Sequence, residues 1–173
     1  MNKDFNENIY LFISHLLPFL SSVLLIICSY IPFDFFALNC IKVSFGAICT
    51  YFWLQHRPDL FNLWSVFWLG VFDDVITASP FGINMFEYLL LFVLVNNTSR
   101  LFNAKPFVVL WCGFALLDLI CYLAKWLLVS VYYSQFLPLP ELMVSYLITV
   151  SVYPIISLFL AFVQNNLIQE ENI

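Results

Sequence analysis

The chain is poor in charge. Charged residues make up 10% of its 173 positions, with six Lys and Arg against eleven Asp and Glu. A soluble domain carries about 25% charged residues, so the sequence is not that of a soluble domain. With so few basic side chains and a net charge of −5 there is no basic patch, and nucleic-acid binding has nothing to rest on. Glycine is scarce too, at four residues, and no Gly-rich phosphate loop, Gly/Ser linker or fixed-period repeat is present. The two histidines, His15 and His56, lack ligand spacing, so no metal centre is expected, and no cofactor. The five cysteines form no C-x-x-C pair and read as small buried hydrophobes.

What the chain has in abundance is apolar surface. Hydrophobic residues are 63% of the sequence, and the mean hydropathy is +0.94. A membrane helix needs about 20 residues, so the length accommodates about six spans with short connections. The expected fold is an all-α integral membrane protein, a single polytopic domain over residues 1–173. Spans are predicted from Tyr10 to Ile31, Ala37 to Gln55, Leu60 to Ser79, Asn84 to Val95, Pro106 to Val131 and Glu141 to Val163. The polar run Asn96-Asn97-Thr98-Ser99-Arg100 reads as the end of the fourth span, and Gln164 to Ile173 as an acidic tail. Arg57, Arg100, Lys105 and Lys3 fall in alternate connections and in the N-terminal tail. By the positive-inside rule both termini are cytoplasmic.

The third span carries the most informative stretch, Gly70-Val71-Phe72-Asp73-Asp74-Val75-Ile76-Thr77-Ala78-Ser79-Pro80-Phe81-Gly82. Gly70, Asp74 and Ala78 recur every four residues and share one helical face, where small residues admit a second helix. Pro80 has no N–H and drives Ser79 out of helical geometry, so the helix stops there, and Gly82 gives the freedom that a tight reversal needs. Ionisable residues inside a membrane segment are expensive and are read as functional by default. From their cytoplasmic ends Asp74 and Asp118 lie at similar depth, about 21 Å and about 18 Å along their helices. They are candidates for a catalytic pair, a transport site or a structural node between the third and fifth helices, with Tyr122 one turn on from Asp118. Asp73 points about 100° away from Asp74, toward another helix or a partner. Glu87, Lys42 and Lys125 lie near the outer ends of their spans and either pair or reach the interface singly.

Catalysis finds no support in these residues. A Gly-x-Gly-Asp element, as in intramembrane aspartyl proteases, is absent. So is the Asn-x-x-Asp-Arg element of lipoprotein signal peptidases. No Ser/His/Asp order or zinc motif appears, and the chain is not expected to be an enzyme.

The stretch Gly70, Asp74, Ala78, Ser79, Pro80 and Gly82 resembles the signature of the MreD family of rod-shape proteins, approximately Gly-x-x-x-Asp-x-x-x-Gly-Ser-Pro-x-Gly. Ala78 stands where the pattern has glycine. His56-Arg57-Pro58, Ala115-Leu116-Leu117-Asp118 and Tyr153-Pro154 resemble further family features in the same order, and the acidic tail departs from the basic tail common in the family. The resemblance implies a non-enzymatic, multi-pass inner-membrane scaffold of the cell-wall elongation complex. Its implied partner is MreC, and through MreC the MreB filament, RodA and the penicillin-binding transpeptidase. The implied fold is similar to the substrate-binding subunit of energy-coupling-factor transporters. A vitamin-binding subunit of such a transporter is the alternative function. The Ala-x-x-x-Ala face that such subunits use for docking has no counterpart between Tyr10 and Tyr30, where there is no alanine.

Overall fold

A computed structural model describes residues 16–28, 30, 43–102, 106–135 and 139–167. The described residues form helices and no strands: α1 (Leu16–Cys28), α2 (Phe45–His56), α3 (Leu63–Thr77), α4 (Ile83–Phe102), α5 (Phe107–Tyr133) and α6 (Leu139–Leu167). The expectations for Tyr10 to His15, for the turn at Ile31 to Asp34, for Cys40 and Lys42, and for the tail beyond Leu167 lie outside the described residues.

α2 and α4 form the middle of the bundle. α4 packs against α2, α3 and α5, and α6 packs against α5 and α2. The sequence of α2 is apolar on every face, the pattern of a helix surrounded by others, and Gly46 through Leu54 are all buried. An aromatic column joins it to α5 and α6. Tyr153 stacks on Phe114 with ring centres 4.5 Å apart, and Tyr51 meets both rings at 5.3 and 5.9 Å. The Tyr51 hydroxyl donates to the Leu110 carbonyl at 2.9 Å, which satisfies the polar end of a buried ring.

The outside of the bundle is as apolar as its interior. Trp64 and Trp68 on α3, Leu116, Leu127 and Val131 on α5, and Ile155, Leu158 and Phe162 on α6 are all exposed. The buried set meanwhile includes Asp73, Asp74, Asn84, Glu87 and Asp118. Water would favour the reverse arrangement. α5 and α6 contain segments long and apolar enough to cross a membrane, Phe107–Tyr133 and Leu142–Asn165.

Three expectations need correction. The fourth helix does not end at Asn96 but continues to Phe102. Thr98 donates its hydroxyl back to the Leu94 carbonyl at 2.6 Å, so a polar residue here bonds within the helix instead of breaking it. The sixth helix runs on to Leu167, taking in the first residues of the expected tail. Cys28 and Cys112 are exposed on the helix surface, whereas Cys49 and Cys121 are buried as expected; an apolar exterior accepts a thiol as readily as a core does.

Pro154 shows how α6 stays continuous. Proline offers no N–H to the carbonyl four residues back, here that of Val150. The Trp111 indole N–H of α5 donates to that carbonyl at 2.9 Å. A backbone acceptor freed by proline is satisfied from a neighbouring helix, as a lipid environment demands.

Candidate functional site

The polar residues gather at one end of the bundle, where α3 turns into α4. α3 stops at Thr77, and Ala78 follows in left-handed geometry at φ 48°. Gly82 has φ 100°. Ser79 and Pro80 lie between these two positions and complete the reversal. The residue before α4 is therefore glycine, which has no side chain to cap the helix. The first N–H groups of a helix still need acceptors.

Asp74 supplies them from the previous helix. One of its carboxyl oxygens accepts from the Asn84 N–H at 2.9 Å and from the Ser79 hydroxyl at 3.0 Å. The other accepts from the Gly82 N–H at 2.8 Å and the Met85 N–H at 3.4 Å. The remaining N–H, that of Ile83, donates to the Pro80 carbonyl at 3.3 Å. Asp74 is thus an N-cap delivered from outside the helix, and its negative charge sits at the positive end of the α4 dipole. Gly70 lets α3 come close enough for this, since a Cβ there would lie 2.4 Å from the Met85 Cα.

Around this cap a wider network links three helices, α3, α4 and α5, with α2 packed against it. Asp73 reaches α4, where the Tyr88 hydroxyl donates to its carboxylate at 2.5 Å. Gly46 of α2 leaves the room, because a Cβ there would lie 2.1 Å from the Tyr88 oxygen. The Thr77 hydroxyl donates to the Asp73 carbonyl. The Asn84 side-chain amide donates to Thr77 at 3.0 Å and to Ser79 at 3.3 Å. Lys125 of α5 donates to Asn84 Oδ1 at 2.7 Å and to Glu87 Oε2 at 2.6 Å. The ammonium also lies 5.9 Å from the centre of the Tyr122 ring. Beside Lys125 a cavity of about 60 Å³ opens among Tyr30, Ser44, Asp73, Thr77, Asn84 and Tyr122. That is room for a few water molecules, and the lining offers them polar partners.

The expected node between Asp74 and Asp118 does not exist. Asp74 is occupied by the α4 terminus, and neither Asp118 oxygen has a hydrogen-bond partner among the described residues. The Tyr122 hydroxyl lies 3.4 Å from Thr149 of α6 and is not bonded to Asp118. Depth counted along two helices sets a height but not a facing, and the free N–H groups beside Asp74 were nearer than any second carboxyl. Of the residues singled out in the sequence, Gly70, Asp74, Ser79, Pro80 and Gly82 come together in the hairpin. Asp118 and Pro154 lie apart from it. Glu87 is paired, with Lys125. Asn84, Thr77 and Tyr88 were missed. The signal in the sequence was for an outside cap: α4 begins after a glycine with no capping side chain, so a polar group nearby had to serve its start, and Asp74 does.

The family model for the rod shape-determining protein MreD matches residues 9–163. The chain belongs to the MreD family. No curated protein and no solved structure matches it. The MreD match makes this a rod-shape-determining membrane protein of a family not known for enzymatic activity. It also covers the whole hairpin, so the Asp74 cap falls inside the MreD region. Ala78, where the MreD pattern has glycine, holds the left-handed φ that glycine adopts most easily.

Proposed function

We propose that this chain is a non-enzymatic membrane subunit of the bacterial cell-wall elongation complex. It maintains rod shape by binding MreC, and through MreC it joins the MreB filament, RodA and the penicillin-binding transpeptidase. The observation that carries this reading is the MreD match over residues 9–163. The bundle supports it in physical terms, with acids buried inside and large apolar side chains outside. In this reading residues 1–173 are one polytopic domain with six crossings, similar in fold to the substrate-binding subunit of energy-coupling-factor transporters. Both termini face the cytoplasm, and Ser79 to Gly82 face the periplasm.

The capped hairpin then acts as a rigid element on the outer side. Gly70, Asp74, Ser79, Pro80 and Gly82 fix its shape, and Phe81 is exposed at its tip. The experiment is co-purification of the tagged chain with MreC, joined to complementation in cells that lack their own copy. Retained MreC and restored rods are expected. Restored rods with no MreC retained overturn the scaffold role, and a reporter fused at residue 173 that is active only in the periplasm overturns the topology.

A further inference from the structure

Asp118 lies in the middle of α5 with 0% exposure, and neither of its carboxyl oxygens has a hydrogen-bond partner among the described residues. The other buried acids are engaged: Asp74 by the α4 terminus, Asp73 by Tyr88, and Glu87 by Lys125 through Oε2. The second oxygen of Glu87, Oε1, is also buried and unpartnered. Asp118, Tyr122 and Lys125 follow at i, i+4 and i+7, so they share one stripe of α5. Tyr122 and Lys125 line the cavity, and Asp118 precedes Tyr122 by one helical turn.

The titratable groups that face Asp118 come from three helices. They are Glu87 of α4, Cys121, Tyr122 and Lys125 of α5 itself, and Tyr146 of α6. Asp73 of α3 lines the same cavity as Tyr122 and Lys125. Tyr146 is committed to the Ala115 carbonyl at 2.7 Å. Glu87 and Lys125 cancel in charge. An ionised Asp118 would add an uncompensated negative charge with no donor to hold it, and buried charges persist when they are paired and hydrogen-bonded. A carboxylic acid needs no counter-charge, and it brings an O–H donor to a site where Glu87 Oε1 lacks one.

We propose that Asp118 and Glu87 form a proton-binding site. Asp118 holds the proton at neutral pH, the Glu87–Lys125 pair completes a neutral triad, and water in the cavity is the route by which the proton exchanges. The test is infrared spectroscopy of the full chain in lipid nanodiscs, because the C=O stretch of a carboxylic acid is separate from that of a carboxylate. At pH 7 an acid band is expected. It is lost in Asp118→Asn, kept in the exposed-site control Asp59→Asn, moved in Asp118→Glu, and shifted on transfer to D2O. An absent acid band in the parent protein overturns the proposal without any variant, and so does a band that survives Asp118→Asn. A band that does not shift in D2O overturns the route through the cavity.

Discussion

Two regions of this molecule are held by different means. The α3–α4 hairpin is tied by charge-assisted hydrogen bonds to backbone N–H groups and by a close backbone approach at Gly70. The α5–α6 pair is long and apolar, and its polar ties are single and scattered, from Trp111 to the Val150 carbonyl, from Tyr146 to the Ala115 carbonyl and between the Tyr122 and Thr149 hydroxyls. In lipid, apolar contact between helices lacks the drive it has in water, since the tails are as apolar as leucine. Packing and hydrogen bonds then decide which surfaces meet. The hairpin concentrates these interactions over a few residues, and α5 and α6 spread them along their length. Damage to the hairpin is therefore expected to be steep, and damage to the pair shallow.

The largest effect is expected at Asp74. Asp74→Leu removes the acceptor for four donors at once, three of them backbone N–H groups at the start of α4. A loss of about 3–5 kcal/mol is expected, since each buried donor left unsatisfied costs about 1–3 kcal/mol and part of the set can find other acceptors. Asp74→Asn keeps one acceptor oxygen and is expected to lose less than half of that. Reversible unfolding in mixed micelles measures both. Equal losses for the two variants would show that the cap is not what holds the hairpin.

Gly70 comes next. Gly70→Ala places a methyl group 2.4 Å from the Met85 Cα, backbone that gives way only if α3 and α4 separate. A loss of about 1–3 kcal/mol is expected, the range for overpacking. Crosslinking between cysteines placed on α3 and α4 should slow in the same variant. An unchanged rate means that the helices do not cross as closely as described.

Trp111→Phe sharpens the other half of the comparison. It removes the donor to the Val150 carbonyl, and a loss of about 1 kcal/mol is expected, since interhelical hydrogen bonds in membranes average about 0.6 kcal/mol and reach about 1.7. In a Pro154→Ala background the helix supplies its own N–H to that carbonyl, and the same change should then have a smaller effect. A double-mutant cycle without coupling would contradict the role given to Trp111.

The smallest effect is a gain. Ala78→Gly relieves a left-handed residue at φ 48° and is expected to stabilise the hairpin by about 1 kcal/mol, the lower end of the penalty for that geometry. Destabilisation would mean that the Ala78 methyl group makes a contact worth more than the strain.

The all-helical class, the family and the turn at Ser79 to Gly82 followed from the sequence alone. Each rests on local chemistry: hydrophobic run length, a proline that lacks an N–H, and a glycine free to take positive φ. For Glu87 the sequence left a pair and a lone reach to the interface open, and the structure decided for the pair with Lys125. The continuation of α4 past Asn96 was not legible in that way. A polar run reads as a loop in a hydropathy pattern, but a threonine hydroxyl that bonds to its own helix leaves the run helical. The partner of Asp74 was decided by tertiary structure alone. Periodicity places a side chain on a face of its helix and says nothing about which group the next helix turns toward it. The chain reverses within a few residues of Asp74, and that brings the unsatisfied N–H groups of α4 to its carboxylate while Asp118 stays out of reach on α5.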